Sequence, residues 1–271
     1  MPFRKRAQRR GAPNFGNVSA DALLLAAYAS MGNQQSLDKA INLLVDRGGF
    51  DGQELSNDDK FLFGHLLKRR YDTTGSLSDL QWGLNYMLLA VENTPRSAQN
   101  RGERLQELAQ TLLAAVERMG PGEAIDLITG HLNSARDWLR ESLSLADRDR
   151  RPTCRSSLGI ALVLRVSYLK DGKVLPDALA ELRKACDEAA APEIKAACYG
   201  NYAKGLMIAY WSGRSREMLD NAVTTARQAR LISPAGSADR LAHTRNLIAA
   251  LEEAGEDTEA RELRRELRQQ R

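Results

Sequence analysis

The chain has 271 residues, 43% hydrophobic but only 6% aromatic, with 20 glycines and 8 prolines; alanine, leucine, arginine and glutamate, all good helix formers, fill the segments between these breakers. No apolar run approaches the ~18 residues that span a bilayer, and no hydrophobic signal segment follows the charges of the amino terminus, so a membrane-spanning or secreted reading gives way to a cytoplasmic one. The formal charge of +4 has a single source: Arg4, Lys5, Arg6, Arg9 and Arg10 lie within the first ten residues, and without them 34 basic residues face 35 acidic ones.

Residues 1–17 contain Gly11, Pro13 and Gly16 and few apolar groups. They cannot bury enough surface to offset the entropy of ordering, and so are expected to form a flexible basic arm. The five cationic side chains fit a contact with nucleic acid, an anionic membrane surface or an acidic protein; the alternative is a solubilising terminus, since no aromatic residue is interleaved between Arg4 and Arg10 to stack on a base.

From residue 18 onward, turn glycines recur at Gly32, Gly75, Gly120, Gly172, Gly213 and Gly255, at intervals of 43, 45, 52, 41 and 42 residues. Such a period is the signature of stacked helical hairpins, each unable to bury its apolar face without its neighbours. The predicted fold is all-α: one continuous right-handed α-solenoid of about six hairpins over residues 18–271, closed by a capping helix. Unit one pairs Ser19–Met31 with Leu37–Asp46, with Ser19 and Asp21 as capping residues. Unit two pairs Asn57–Thr73 with Leu77–Asn93, and Pro95 ends it. Unit three pairs Ala98–Met119 with 121–145, opening on Pro121 at a first helical position, and the charged 147–151 stretch before Pro152 accounts for the long interval. Unit four pairs Thr153–Lys170 with Pro176–Ala189, and unit five pairs Pro192–Trp211 with Arg216–Leu231. Unit six pairs Ala238–Ala254 with Thr258–Gln269, whose polar outer face suits a terminal cap.

Phe63-Gly64-His65-Leu66-Leu67-Lys68-Arg69-Arg70-Tyr71-Asp72-Thr73-Thr74-Gly75, followed by Leu77, Asp79 and Leu80, resembles the pattern of tetratricopeptide-like (TPR) repeats. Leu158-Gly159 with Tyr168 and Gly172, and Tyr199-Gly200 with Tyr210 and Gly213, repeat the theme. The chain is similar in particular to the bacterial version with a period of about 42 residues, which occurs beside CHAT proteases and in actinobacterial signalling proteins. The resemblance covers roughly residues 19–265. It implies an interaction scaffold, with another protein as partner, such as a separately encoded protease or effector. The chain departs from the pattern in unit one, which has no Leu-Gly pair, and in unit three, where polar residues replace it.

Gly64, Gly159, Gly200 and Ala242 fall midway along the first helices, where glycine is costly by about 0.5–1 kcal/mol relative to alanine. Close approach of the paired helix is the expected compensation. The positions one and four residues later share a helical face and read His65 and Lys68, Asn201 and Lys204, His243 and Asn246. With Arg69 these form the candidate partner-binding residues, all donors and suited to an acidic peptide or a terminal carboxylate; the alternative is the solvated face of amphipathic helices.

Catalysis finds little support. No HExxH, GxSxG, P-loop or GxGxxG occurs, and His65, His131 and His243 lie in different units, so neither a metal nor a cofactor is expected. Asp137, Trp138 and Glu141 share a helix face and read as a partly buried tryptophan beside solvated carboxylates. Cys154, Cys186 and Cys198 have no disulfide or metal spacing and read as small buried hydrophobes. The preferred reading is a non-catalytic scaffold, against a polyanion-binding accessory acting through the arm, or a helical enzyme with an unrecognised site.

Overall fold

The computed structural model describes residues 32–48, 55–119 and 125–269. The basic arm, the expected helix Ser19–Met31, Gly120 and the Pro121 helix start lie outside the described residues. Among those described there are eleven α-helices and no strand. They are α1 Gln34–Gly48, α2 Asn57–Thr74, α3 Leu77–Glu92, α4 Arg101–Arg118, α5 Ile125–Leu145, α6 Arg151–Leu169, α7 Leu175–Glu188, α8 Pro192–Gly213, α9 Arg216–Ile232, α10 Ala238–Ala254 and α11 Asp257–Gln269, with one 3-10 turn at Gly172–Val174. Contacts within the chain divide it into two compact units, one running to Thr111 and the other from Leu112, so the division falls inside α4.

In the first unit α1 packs on α2 and α2 on α3. The helix starts are fixed by serines: the Ser56 and Ser76 hydroxyls accept from the backbone N–H groups of Asp59 and Asp79, three residues on, which satisfies amides that a helix start leaves without a partner. Gly75 ends α2 in the left-handed region at φ 74°, which costs glycine nothing. The core is built from Phe61, Leu62, Leu66 and Met87. At the crossing of α2 and α3 two glycines meet. A β-carbon on Gly64 would lie 2.7 Å from the Gly83 carbonyl oxygen, and one on Gly83 would lie 3.0 Å from that of Gly64. Arg70 ties the same two helices together, its Nε and Nη2 donating to the Asp79 carboxylate at 2.8 and 2.7 Å.

In the second unit α5 packs on α6, α6 on α7, α7 on α8, α8 on α9, α9 on α10 and α10 on α11. Helices α6, α7 and α8 each carry a proline in the first turn, where the missing N–H costs nothing. Their ends differ from expectation. Gly172 opens the 3-10 turn and Gly213 is the last residue of α8, while the left-handed positions are taken by Lys170 at φ 56° and Arg214 at φ 53°. Helix α6 is enclosed: residues 156–164 are buried without a break, and it touches α5, α7 and α8. Its uninterrupted apolar run, Leu158 to Leu164, matches a helix walled on all faces. Beyond it, Leu206, Leu219, Val223, Leu247 and Leu251 make the core of the last two hairpins.

Candidate functional site on the polar face of the first helices

The helix ends supply a register that the turn glycines do not. Gly75 follows Gly64 by eleven residues, and Lys170 follows Gly159 by the same number. The same offset back from Arg214 and Gly255, the left-handed residues that end α8 and α10, lands on Ala203 and Thr244, which are 2% and 1% exposed. Ala203, and not Gly200, is therefore the small residue beneath α9, within the cluster that holds Leu219, Ala222 and Val223. In α10 the expected packing residue Ala242 is exposed and Thr244 takes the buried place. One position further on in each helix stand His65, Ile160, Lys204 and Arg245.

Gly64 and Gly159 do pack as expected, Gly159 under Leu182 and Ala178 of α7. Gly200 serves a different contact: a β-carbon there would lie 2.5 Å from Nε2 of His243. His243 is thus not on a polar face. It is 8% exposed, its ring over Gly200 and its Nδ1 2.8 Å from Ser233 Oγ.

The reason lies in a link that occurs twice. Ser233 Oγ donates to Ala229 O at 2.7 Å, and the Arg240 guanidinium, seven residues on, donates to Ser233 O and Arg230 O at 3.1 and 3.2 Å. In the first unit Thr94 Oγ donates to Ala90 O at 2.6 Å, and Arg101, again seven residues on, donates to Thr94 O and Val91 O at 2.5 and 3.2 Å. Ten residues after the hydroxyl stands a nitrogen within hydrogen-bond distance of it: Arg104, 2.8 Å from Thr94 Oγ, in one case and His243 in the other. The signal is legible in hindsight as Thr94-Pro95 and Ser233-Pro234, each followed by arginine at seven and arginine or histidine at ten.

Four of the remaining candidates, His65, Lys68, Asn201 and Lys204, are held by other side chains of the chain. In the first unit His65 Nδ1 lies 3.1 Å from Glu107 Oε1, Lys68 Nζ donates to Asp72 at 2.6 Å, and Arg69 borders a hollow of about 190 Å³ with Asn33, Gln34, Asp72 and Thr73. Burial works to raise the Glu107 carboxyl, but the hydrogen bond and charge of His65 and the charges of Lys68 and Arg69 outweigh it, leaving the group below its ordinary value. In the second unit Asn201 Nδ2 donates to Ser156 Oγ at 2.9 Å, and the Lys204 ammonium donates to the Glu117 carboxylate. Asn246 is exposed. On α5 Asp137 is exposed and bonded to Arg136, with Trp138 half-buried beside it. All three cysteines are buried, and burial pushes the Cys186 and Cys198 thiols up to about 12 and about 11. Among the described residues no cluster of histidine, cysteine, aspartate or glutamate could hold a metal ion, and no helix is long and apolar enough to cross a membrane.

Burial holds the His243 imidazolium below its usual 6.5, with the Asp239 charge and the Ala229 backbone opposing only in part. With the folded value below the unfolded one, the unfolded chain takes up the proton first as pH falls beneath about 6.5, and stability drops there. Melting temperatures between about pH 7 and pH 5 should fall more steeply for the wild type than for His243→Gln. Equal slopes would show that His243 titrates as it does in water.

No protein-family model matches the chain, and none of the curated proteins does. Among solved structures it is similar to a Podosopora anserina protein described as a kinesin light chain with nearly identical TPR-like repeats. A point variant of that protein aligns at 18% identity over 76% of this chain and 92% of that one, with a TM-score of 0.50. A second structure of those repeats aligns over the same shares at 18% identity with a TM-score of 0.48. The fold is an α-solenoid of TPR-like helical hairpins.

Proposed function

We infer that this chain is a non-catalytic protein-interaction scaffold that takes an acidic, extended segment of a partner protein on the polar side of the first helices of the second unit, with a corresponding polar face on the first unit. Lys204, Arg245, Asn201 and Asn246 serve in the second unit, and His65, Lys68 and Arg69 in the first. One observation carries this reading: at two of the four positions just after the small packing residue a nitrogen already meets a carboxylate, His65 at Glu107 and Lys204 at Glu117. Lys204 and Glu117 are 39% and 41% exposed, and an exposed pair of this kind is worth only about 0–1 kcal/mol. A partner's carboxylate can replace Glu117 at small cost and keep the charge-assisted bond to Lys204. The resemblance to bacterial repeats found beside CHAT proteases makes a cytoplasmic signalling system, with a separately encoded protease or effector as the partner, the setting to search first.

The test is fluorescence anisotropy with a labelled peptide rich in glutamate and aspartate. Lys204→Glu should weaken binding about tenfold or more, and Glu117→Gln should tighten it severalfold by freeing the ammonium, with helicity unchanged in both. Equal affinity for all three proteins would reject the reading. A second reading has its own observation, the concentration of Arg4, Lys5, Arg6, Arg9 and Arg10 in ten residues, which suits nucleic acid or anionic vesicles. Deleting residues 1–13 would abolish such binding. For the intact chain the log–log salt slope is bounded by about five neutralised phosphates at roughly 0.7–0.9 each.

A further inference from the structure

Helix α11 is attached to the chain by little apolar surface and much charge. Of its thirteen residues only Ala260 and Leu263 are buried, with Leu267 partly so. They rest on the core made by Leu219, Val223, Leu247, Ile248 and Leu251 of α9 and α10. Around that contact runs a ring of ion pairs. Arg227 holds Glu256 and Glu259 at 2.5 Å each, Arg230 holds Glu266 at 2.6 Å, and Arg264 reaches Glu252. Ion pairs at this exposure are weakened by salt and easily exchanged.

The link between α10 and α11 is two residues long and turns on Gly255. Its φ is 79°, its N–H donates to Glu252 O, and the next amide, Glu256, donates back to Leu251 O at 2.9 Å. No atom lies within 4 Å of where a β-carbon on Gly255 would stand. What the turn asks of residue 255 is therefore a backbone conformation and not room for a side chain. If Gly255 adopts helical angles, α10 and α11 become one rod and the surface beneath α11 is uncovered.

From this geometry we propose that α11 is an exchangeable cap, which opens at Gly255 and seats on the α9–α10 surface of a second copy of the chain. The occupant is set by complementarity already on display, because the surface fits this helix in shape and in charge within one molecule, and every other copy carries the same surface. The exchange is reciprocal, each chain giving and receiving one helix, so it closes as a two-fold dimer and does not propagate. It leaves α2, α4 and the Lys204–Glu117 pair untouched, and its failure is independent of the peptide-binding reading.

Sedimentation velocity of the full chain over a concentration series tests it. Gly255→Ala penalises the left-handed turn without any clash and should raise the dimer fraction about tenfold at equal concentration. Gly236→Ala is the control: φ there is 73° with the same empty surroundings, but in the α9–α10 turn, so it carries the same strain and should leave the chain as monomeric as the wild type. A second arm does not depend on that variant. Arg227→Glu with Arg230→Glu in one chain, and Glu259→Arg with Glu266→Arg in another, should each lose their own cap and form a one-to-one dimer when mixed. A Gly255→Ala chain no more dimeric than the wild type, an equal rise in Gly236→Ala, or charge variants that stay apart on mixing would each overturn the proposal.

Discussion

Gly64→Ala is expected to destabilise the protein by about 2 kcal/mol or more, while Gly130→Ala stabilises it by about 0.5–1 kcal/mol. The two glycines are both inside helices, and what separates them is what a methyl group would meet. At Gly64 it would stand 2.7 Å from the Gly83 carbonyl oxygen and from Met87 Cγ. A side chain can turn aside, but the backbone oxygen moves only with α3. At Gly130 nothing lies within 4 Å, so alanine brings only its better helix propensity. Denaturant melts of the two variants read this directly, and a Gly64→Ala protein as stable as the wild type would mean that α2 and α3 are not held at this distance.

Arg104→Ala should be the most damaging change among the charged residues, by about 3–5 kcal/mol. The side chain is 3% exposed, its guanidinium donates to Thr94 Oγ and to the Asp58 carboxylate, and its Cζ lies 5.1 Å from the Phe61 ring centroid. Removing it takes the guanidinium from the Asp58 carboxylate, which is only 19% exposed, and takes away the donor that joins the α3–α4 link to α2. Asp58→Asn in the Arg104→Ala background should recover part of the loss, since a neutral amide loses less than a carboxylate does when the guanidinium beside it is removed. A double variant no better than the single one would place the cost in lost packing over Phe61, and a loss under about 1 kcal/mol would show the pair to be as weak as a surface one.

The hairpin order was readable because it rests on local rules. Helix periodicity, prolines at helix starts and glycines after helix ends put most boundaries within one to three residues of the observed ones: Ala238–Ala254 coincides, and Asn57–Thr73 falls one residue short. The polar face was less readable, because its register was taken from the wrong glycine. Gly200 looks like the packing residue of α8, but it makes room for His243, and the small residue under α9 is Ala203, three positions on. A slip of three residues nearly preserves a helical face, so Lys204 stayed outward. In α10 the slip from Thr244 to Ala242 is two, which turns the helix through more than half a circle and put the buried His243 on the outside. The left-handed conformation of Arg214 hid the true register of α8, since an arginine does not announce it.

The enclosure of α6 bears on how the second unit can change over time. In an open array each repeat touches only its neighbours, so a hairpin can be duplicated, lost or exchanged and the rest closes over the gap. Helix α6 meets α5 of the hairpin before it, α7 of its own and α8 of the hairpin after it, so its burial needs both neighbouring hairpins in place. Excising it would uncover three partners together, and a larger side chain at any of residues 156–164 would press on a neighbour. The stretch around Gly159 is the keystone of the second unit, and insertions or losses of whole hairpins are to be sought on either side of it.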